Sequence, residues 1–254
     1  MMRQLIVNAD DCNLTAGVTQ SILECHEKGI VSSTSWMVNL PASPEIVLQV
    51  AKSGLGVGVH LNVTSGKPVS NVEDIRSLIN PEGAFKKKDE YLKTPPVPEE
   101  LVREYDLQVA LFKKQFGRAP THLDTHHQVH DFPVFMQALA HVAREARLPI
   151  RRSLLMREAD FMKKYPGLIA PQGLIGDLGV HSFWTTEKLE RSLSELLPGT
   201  TEVMCHPGIW DAELQRMTSM TVTREKEYAL FSSPHLKKVL ERLSIRLINF
   251  SQIS

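Results

Sequence analysis

The chain opens with a short apolar run, Leu5-Ile6-Val7, that stops at Asn8-Ala9-Asp10-Asp11, the pattern of a buried strand ending at a polar rim. Over residues 17–28, Val18, Ile22, Leu23 and Cys25 recur at helical spacing, and Gly29 supplies a stop. Residues 31–39 predict a second strand, closed by Pro41. Pro44 then opens a helix with Ile46, Val47, Val50 and Ala51 on one side. Residues 55–61 predict a third strand, in which Gly54, Gly56 and Gly58 read as close-packing positions rather than a phosphate loop. Residues 64–97 break the rhythm with Gly66, Pro68, Pro81, Gly83, Lys86-Lys87-Lys88 and Pro95-Pro96. A stretch so much longer than the usual two to six or so residues of a βα connection predicts a lid-like insertion near an active face, with the lysines solvated.

The remainder resumes the alternation. Residues 99–116 form an amphipathic helix, with Leu101, Val102, Tyr105, Val109, Phe112 and Phe116 on one side. A strand over 120–124 and a helix over 132–147 follow, and Leu148-Pro149-Ile150 leads into Arg151-Arg152. Residues 153–179 read as irregular, 187–197 as a helix, 202–205 as a strand reaching His206, 224–231 and 234–243 as helices, and 245–250 as a last strand. Strand and helix thus alternate about six or seven times with no linker, which predicts one α/β domain over residues 1–254: a distorted, TIM-barrel-like (β/α) barrel or an open parallel sheet.

Composition narrows the partners. The 254 residues carry 29 Lys plus Arg against 29 Asp plus Glu, so no net charge favours nucleic acid. The three Cys include no CxxC pair, which excludes a thiolate zinc knot and a disulfide scaffold. No stretch approaches the roughly 18 apolar residues of a membrane span, and the first carboxylates come too early for a signal-peptide core, so the expectation is a cytoplasmic protein. The ten His are the anomaly, four of them falling at His122, His126, His127 and His130.

The ionisable residues sort by position. Asp10-Asp11, His60, Asp124 with His126-His127, Arg151-Arg152 and His206 each follow an apolar run, on the carboxyl side of a predicted strand. Active sites of barrels and open α/β sheets form on that face. Two imidazoles and a carboxylate suit a catalytic divalent metal. Asp10 and Asp11 point to opposite sides of an extended segment, so one binds metal while the other handles water only if the strand end bends. By the same rule only one of His126 and His127 faces the pocket with Asp124 and His122, and His130 lines the rim. Nucleotide-binding, serine-hydrolase and zincin motifs are absent.

These motifs together make the chain resemble the YdjC-like family of carbohydrate deacetylases. The resemblance runs over nearly the whole length, on Asn8-Ala9-Asp10-Asp11, residues 31–39, Gly58-Val59-His60 with Gly66-Lys67-Pro68, residues 121–127 with Val129-His130, and residues 202–207. It implies a metal, magnesium or zinc, held by Asp11, His60 and His126, with Asp10 as general base and His206 as the acid that protonates the departing amine. It further implies removal of N-acetyl groups from N-acetylglucosamine units of short chitooligosaccharides, and a homodimer. Cys12 and Asn13 replace the family's usual aromatic and glycine, and Gln128 interrupts its three-histidine run. Among substrate-facing candidates, Arg151 or Arg152 orients Asp10 or binds sugar hydroxyls, Asp124 and His130 line the pocket, and Trp210, Trp184 or Phe183 stacks on a sugar ring. A metal-dependent phosphoesterase and a non-catalytic sugar-binding protein are the alternative readings.

Overall fold

A computed structural model describes residues 2–176 and 183–253. Seven parallel strands make one curled, open sheet in the order β4-β3-β2-β1-β6-β5, with β7 also pairing β1. They are β1 (Arg3–Cys12), β2 (Ser33–Trp36), β3 (Gly56–Leu61), β4 (Leu123–Thr125), β5 (Gly173–Ile175), β6 (Gly199–Cys205) and β7 (Ile245–Leu247). The helices are α1 (Ala16–Lys28), α2 (Pro44–Lys52), α3 (Lys88–Lys93), α4 (Pro98–Phe116), α5 (Pro133–Ala146), α6 (Glu158–Lys164), α7 (Thr186–Ser194), α8 (Leu214–Met217), α9 (Val222–Phe231) and α10 (His235–Arg242). No helix among the described residues is long and apolar enough to cross a membrane.

Strand β1 organises the sheet. One of its edges pairs with β6 from Arg3 to Ala9. The other edge is divided, with β7 against Arg3–Leu5 and β2 beginning at Asn8. Because side chains alternate along a strand, Leu5, Val7 and Ala9 join the main apolar core, whereas Ile6 packs inside the curl on Ile248 and Phe250. The inner face turns polar as it rises: Ile6 is followed by Asn8 and Asp10. Gly58 belongs to the floor, because a Cβ there would lie 2.3 Å from the His122 ring, which stacks on Phe250 at 3.8 Å. The glycine run of β3 is therefore a packing feature, as the pattern predicts.

The fold follows the expected distorted-barrel plan, with differences in detail. Beyond β4 the sheet continues only as a single bridge, Leu123 to Ile150, so Arg151 follows an isolated bridge and not a full strand. The stretch read as irregular contains α6 and β5; its final residues, 177–179, lie outside the described residues. The second strand is shorter than expected, and residues 248–250 leave the last strand for a 3-10 turn.

The insertion after β3 is helical and pinned down. Buried Ile75, Leu78, Phe85 and Tyr91 anchor it. The Glu104 carboxylate on α4 accepts from Val69 N at 3.0 Å and Ser70 N at 2.9 Å. Tyr91 donates its hydroxyl to Val63 O at 2.7 Å. One lysine of the supposedly solvated run also departs from expectation: Lys88 Nζ donates to His127 O at 2.7 Å and lines the central cavity.

Candidate metal and catalytic site

A cavity of 380 Å³ opens at the carboxyl ends of the strands, lined by Asp10, Asp11, His60, His126, His127 and His206, with Lys88, Met204 and Arg224 among its other walls. The paired aspartates both reach it because the strand end bends. The β1–β2 register shifts between Ala9 and Cys12, and Asp11 takes φ 67°, a left-handed conformation that Asp tolerates better than most residues. Strict alternation is broken, and two adjacent carboxylates share one cavity.

Arg151 binds Asp10 as a fork. Nη1 donates to Oδ2 and Nη2 to Oδ1, each at 2.6 Å. Arg151 is fully buried, and it also donates through Nε to Glu202 Oε1 at 2.8 Å and lies 3.0 Å from Asp124 Oδ2. Planar bidentate pairing of this kind fixes a carboxylate's orientation as well as its charge. Asn8 Nδ2 donates to Asp10 Oδ1 at 2.8 Å. Each carboxylate oxygen has two acceptor positions, so Oδ1 is filled. Oδ2 keeps one position open on the side of His206 Nε2, which is 3.8 Å away.

Asp11 faces different partners. Its Oδ1 lies 3.2 Å from His60 Nε2 and 3.1 Å from His126 Nδ1, and its Oδ2 accepts from Arg224 Nη2 at 2.5 Å. Asp11, His60 and His126 each offer a ligand atom, all within 4.8 Å of one another. The remote nitrogen of His60, Nδ1, lies 2.7 Å from Asp124 Oδ1. A carboxylate behind a histidine is the usual support for a metal-ligating imidazole, leaving Nε2 to face the ion. A second triad, Asp10, His60 and Asp124, meets the same spacing. Its carboxylates are committed to Arg151, so the first triad is the better fit for a divalent cation.

Electrostatics follow from these contacts. Burial would raise the Asp11 carboxyl, but Arg224, His126 and His60 outweigh it and hold it well below the usual range. Burial would likewise lower His60, yet Asp124, Asp11 and Asp10 push it up to about 10. Burial lowers His126 from its usual value and brings His127 down to about 3. His127 is accordingly neutral at physiological pH, with Thr64 Oγ1 at 2.9 Å from its Nδ1.

Other expected site residues lie elsewhere. Asp124 and Arg151 are fully buried beneath the cavity and contact its lining residues instead of lining it. His130 is also buried, with Nδ1 at 2.6 Å from Thr125 Oγ1, so it does not line the rim. His122 sits in the floor. Arg152 turns away and donates to Gln172 O at 2.7 Å, which leaves Arg151 as the partner of Asp10. Trp210 is exposed and outside the cavity lining. Trp184 is in the core, donating Nε1 to Met204 O at 2.9 Å, and Phe183 lies under the Lys226 ammonium at 4.1 Å.

The neighbour rule for His126 and His127 fails. His127 and Gln128 have φ of 57° and 53°, so the backbone turns where an extended segment would continue and both imidazoles line the cavity. The pattern also missed three charged residues. Glu202 stands inside the apolar run of β6 and binds Arg151. Arg224 and Glu227 share a face of α9 at i,i+3 spacing; Arg224 holds Asp11, and Glu227 accepts from His206 N at 2.6 Å and Trp184 N at 3.1 Å. A carboxylate within a buried strand was a readable signal for Glu202. The two helical residues looked like ordinary surface charge.

Comparison with known proteins places this geometry among relatives. Residues 4–242 match the family model for YdjC-like protein. A carbohydrate deacetylase of Clostridium beijerinckii is 32% identical over 257 residues, covering 98% of this chain and 100% of its own. One from Halalkalibacterium halodurans is 34% identical over 236 residues, covering 90% and 95%. Among solved structures, a protein of Enterococcus faecalis V583 put down as a cellobiose-phosphate cleavage protein superposes with a TM-score of 0.91 at 29% identity, covering 98% of both chains. A family 4 carbohydrate esterase of Streptomyces lividans shares the fold at a TM-score of 0.52 and 13% identity, covering 96% of this chain and 91% of its own.

Proposed function

The chain belongs to the YdjC-like family, and from that premise we propose that it is a metal-dependent hydrolase that removes N-acetyl groups from N-acetylglucosamine-containing oligosaccharides such as chitooligosaccharides. The observation that carries the reading is the division of labour between adjacent aspartates. Asp11 joins two imidazoles at metal-binding spacing, while Asp10 is held apart by Arg151 beside His206.

Asp11, His60 and His126 would hold a divalent ion, magnesium or zinc, with Asp124 steadying His60. Such an ion supplies Lewis acidity toward an amide carbonyl and toward water. Asp10, kept ionised and oriented by the Arg151 fork, takes the proton of the attacking water at the open position of Oδ2. His206 protonates the amide nitrogen, since an amine anion is a poor leaving group. Glu227 anchors the His206 backbone, which fixes the imidazole opposite Asp10. The carbohydrate deacetylases among the relatives supply the substrate class.

Acetate release from a series of N-acetylated sugars, with and without chelator, tests the proposal. Chelator-sensitive release from acetylated chitobiose is the expected result. Hydrolysis of phosphate esters without acetate release would replace the reading with a phosphoesterase.

A further inference from the structure

Arg224 enters the cavity wall with only part of its hydrogen-bonding capacity used. The residue is 2% exposed. Its Nη2 donates to Asp11 Oδ2, but Nε and Nη1 are buried with no partner among the described residues. Nε carries one hydrogen and Nη1 two, so up to three bonds remain open. Leaving such donors unmet inside a protein is costly, and native structures rarely do it without a reason.

The placement of the guanidinium is built. Gly208 N donates to Arg224 O at 3.1 Å, and a Cβ on Gly208 would come within 3.1 Å of Arg224 Cδ and 3.2 Å of its Cβ. The His206-Pro207-Gly208 segment therefore forms a shelf for the arginine stem, and the missing side chain at residue 208 is what lets the stem lie against it. The charge of Arg224 is already matched by Asp11. The open N–H groups therefore call for neutral acceptors and not a further anion.

Resting on the deacetylase reading, we infer that Arg224 is a substrate-binding residue whose free N–H groups take hydroxyl or carbonyl oxygens of the acetylated sugar. Its remaining bond keeps Asp11 in place. One side chain thereby ties the position of the sugar to the position of a proposed metal ligand.

The test compares zinc-loaded wild type with R224Q and R224K. Calorimetry gives the affinity for an N-acetylated chitooligosaccharide, elemental analysis gives the zinc content, and acetate release gives KM and kcat. The expected result is at least about a tenfold loss of sugar affinity in R224Q, as for a lost bond to a charged donor. R224K should fall between the two, KM should rise more than kcat falls, and zinc stoichiometry at saturating zinc should be unchanged. Should R224Q fail to fold, R224K must still lose affinity. Unchanged sugar affinity with impaired zinc binding would overturn the inference, because Arg224 would then serve Asp11 alone. Wild type that binds the sugar without releasing acetate would sink the deacetylase reading while the affinities still decide the role of Arg224. Wild type that binds no acetylated sugar would overturn both.

Discussion

Three carboxylates, Asp10, Asp124 and Glu202, share the single guanidinium of Arg151. Asp10 takes two bonds from it, and Asp124 has His60 as a second partner. Glu202 has neither advantage, and its Oε2 has no partner among the described residues. Burial consequently pushes Glu202 from its usual 4.5 up to about 7, and Arg151 offsets this only in part because Asp10 and Asp124 draw on the same cation. A carboxyl raised on folding contributes stability that is complete below its unfolded pKa and is lost as pH rises through its folded one. A tenfold change in proton affinity corresponds to about 1.4 kcal/mol, so Glu202 should cost the fold roughly 3 kcal/mol once fully ionised, about 2.5 of it between pH 5 and 8. Glu202→Gln removes that titration while keeping a carbonyl oxygen for Arg151 Nε. The new amide leaves buried donors of its own, shifting absolute stability by about 1–3 kcal/mol, so the slope is the diagnostic. Urea unfolding of chelator-treated protein at pH 5, 6, 7 and 8 measures it. Wild type should lose about 2.5 kcal/mol relative to E202Q across that range. Parallel profiles would refute the argument that Glu202 is the carboxylate left short in this cluster.

Other substitutions separate the remaining roles. His60→Ala should lose metal at concentrations that saturate wild type, and Asp124→Asn should weaken metal affinity by about 10- to 100-fold through the orientation of His60; metal titration monitored by calorimetry distinguishes them, and unchanged affinity in H60A would strike it from the ligand set. Asp10→Asn should retain metal while acetate release falls by about 10²- to 10⁴-fold, and wild-type-like turnover would remove it as the base. Gly58→Ala should destabilise the protein by at least about 1–3 kcal/mol, because its Cβ must displace the His122 ring; an unaltered melting temperature would contradict that packing.

Much of the site was legible because strands impose order on sequence. Asp10, His60, Asp124 and His206 each follow an apolar run, and parallel strands bring such ends together. The alternation rule then failed at two turns it could not foresee. Positive φ at Asp11 and at His127-Gln128 puts adjacent side chains on the same side, and none of these residues is glycine to announce the turn. Depth was the other hidden variable. His130, Asp124 and Arg151 sit at strand ends by sequence, yet one residue of rise separates a cavity wall from the layer beneath it. Arg224 and Glu227 were invisible for a different reason, since their helix is far from the aspartates in sequence and only tertiary packing turns it toward them.

The divided edge of β1 also bears on how the site comes into being. The aspartate pair stands on a strand whose upper half is completed early, by residues 33–36, but whose lower half awaits residues 245–247 and whose other edge awaits residues 199–205. Pairings across most of the chain's length carry a large loop-closure entropy and form slowly. A ribosome-bound chain that has emitted both aspartates and all the proposed metal ligands is thus still short of two of the three partners of β1. Assembly of the cavity is therefore tied to the end of synthesis, and a chain cut before residue 245 would carry every proposed metal ligand on a strand left half unpaired.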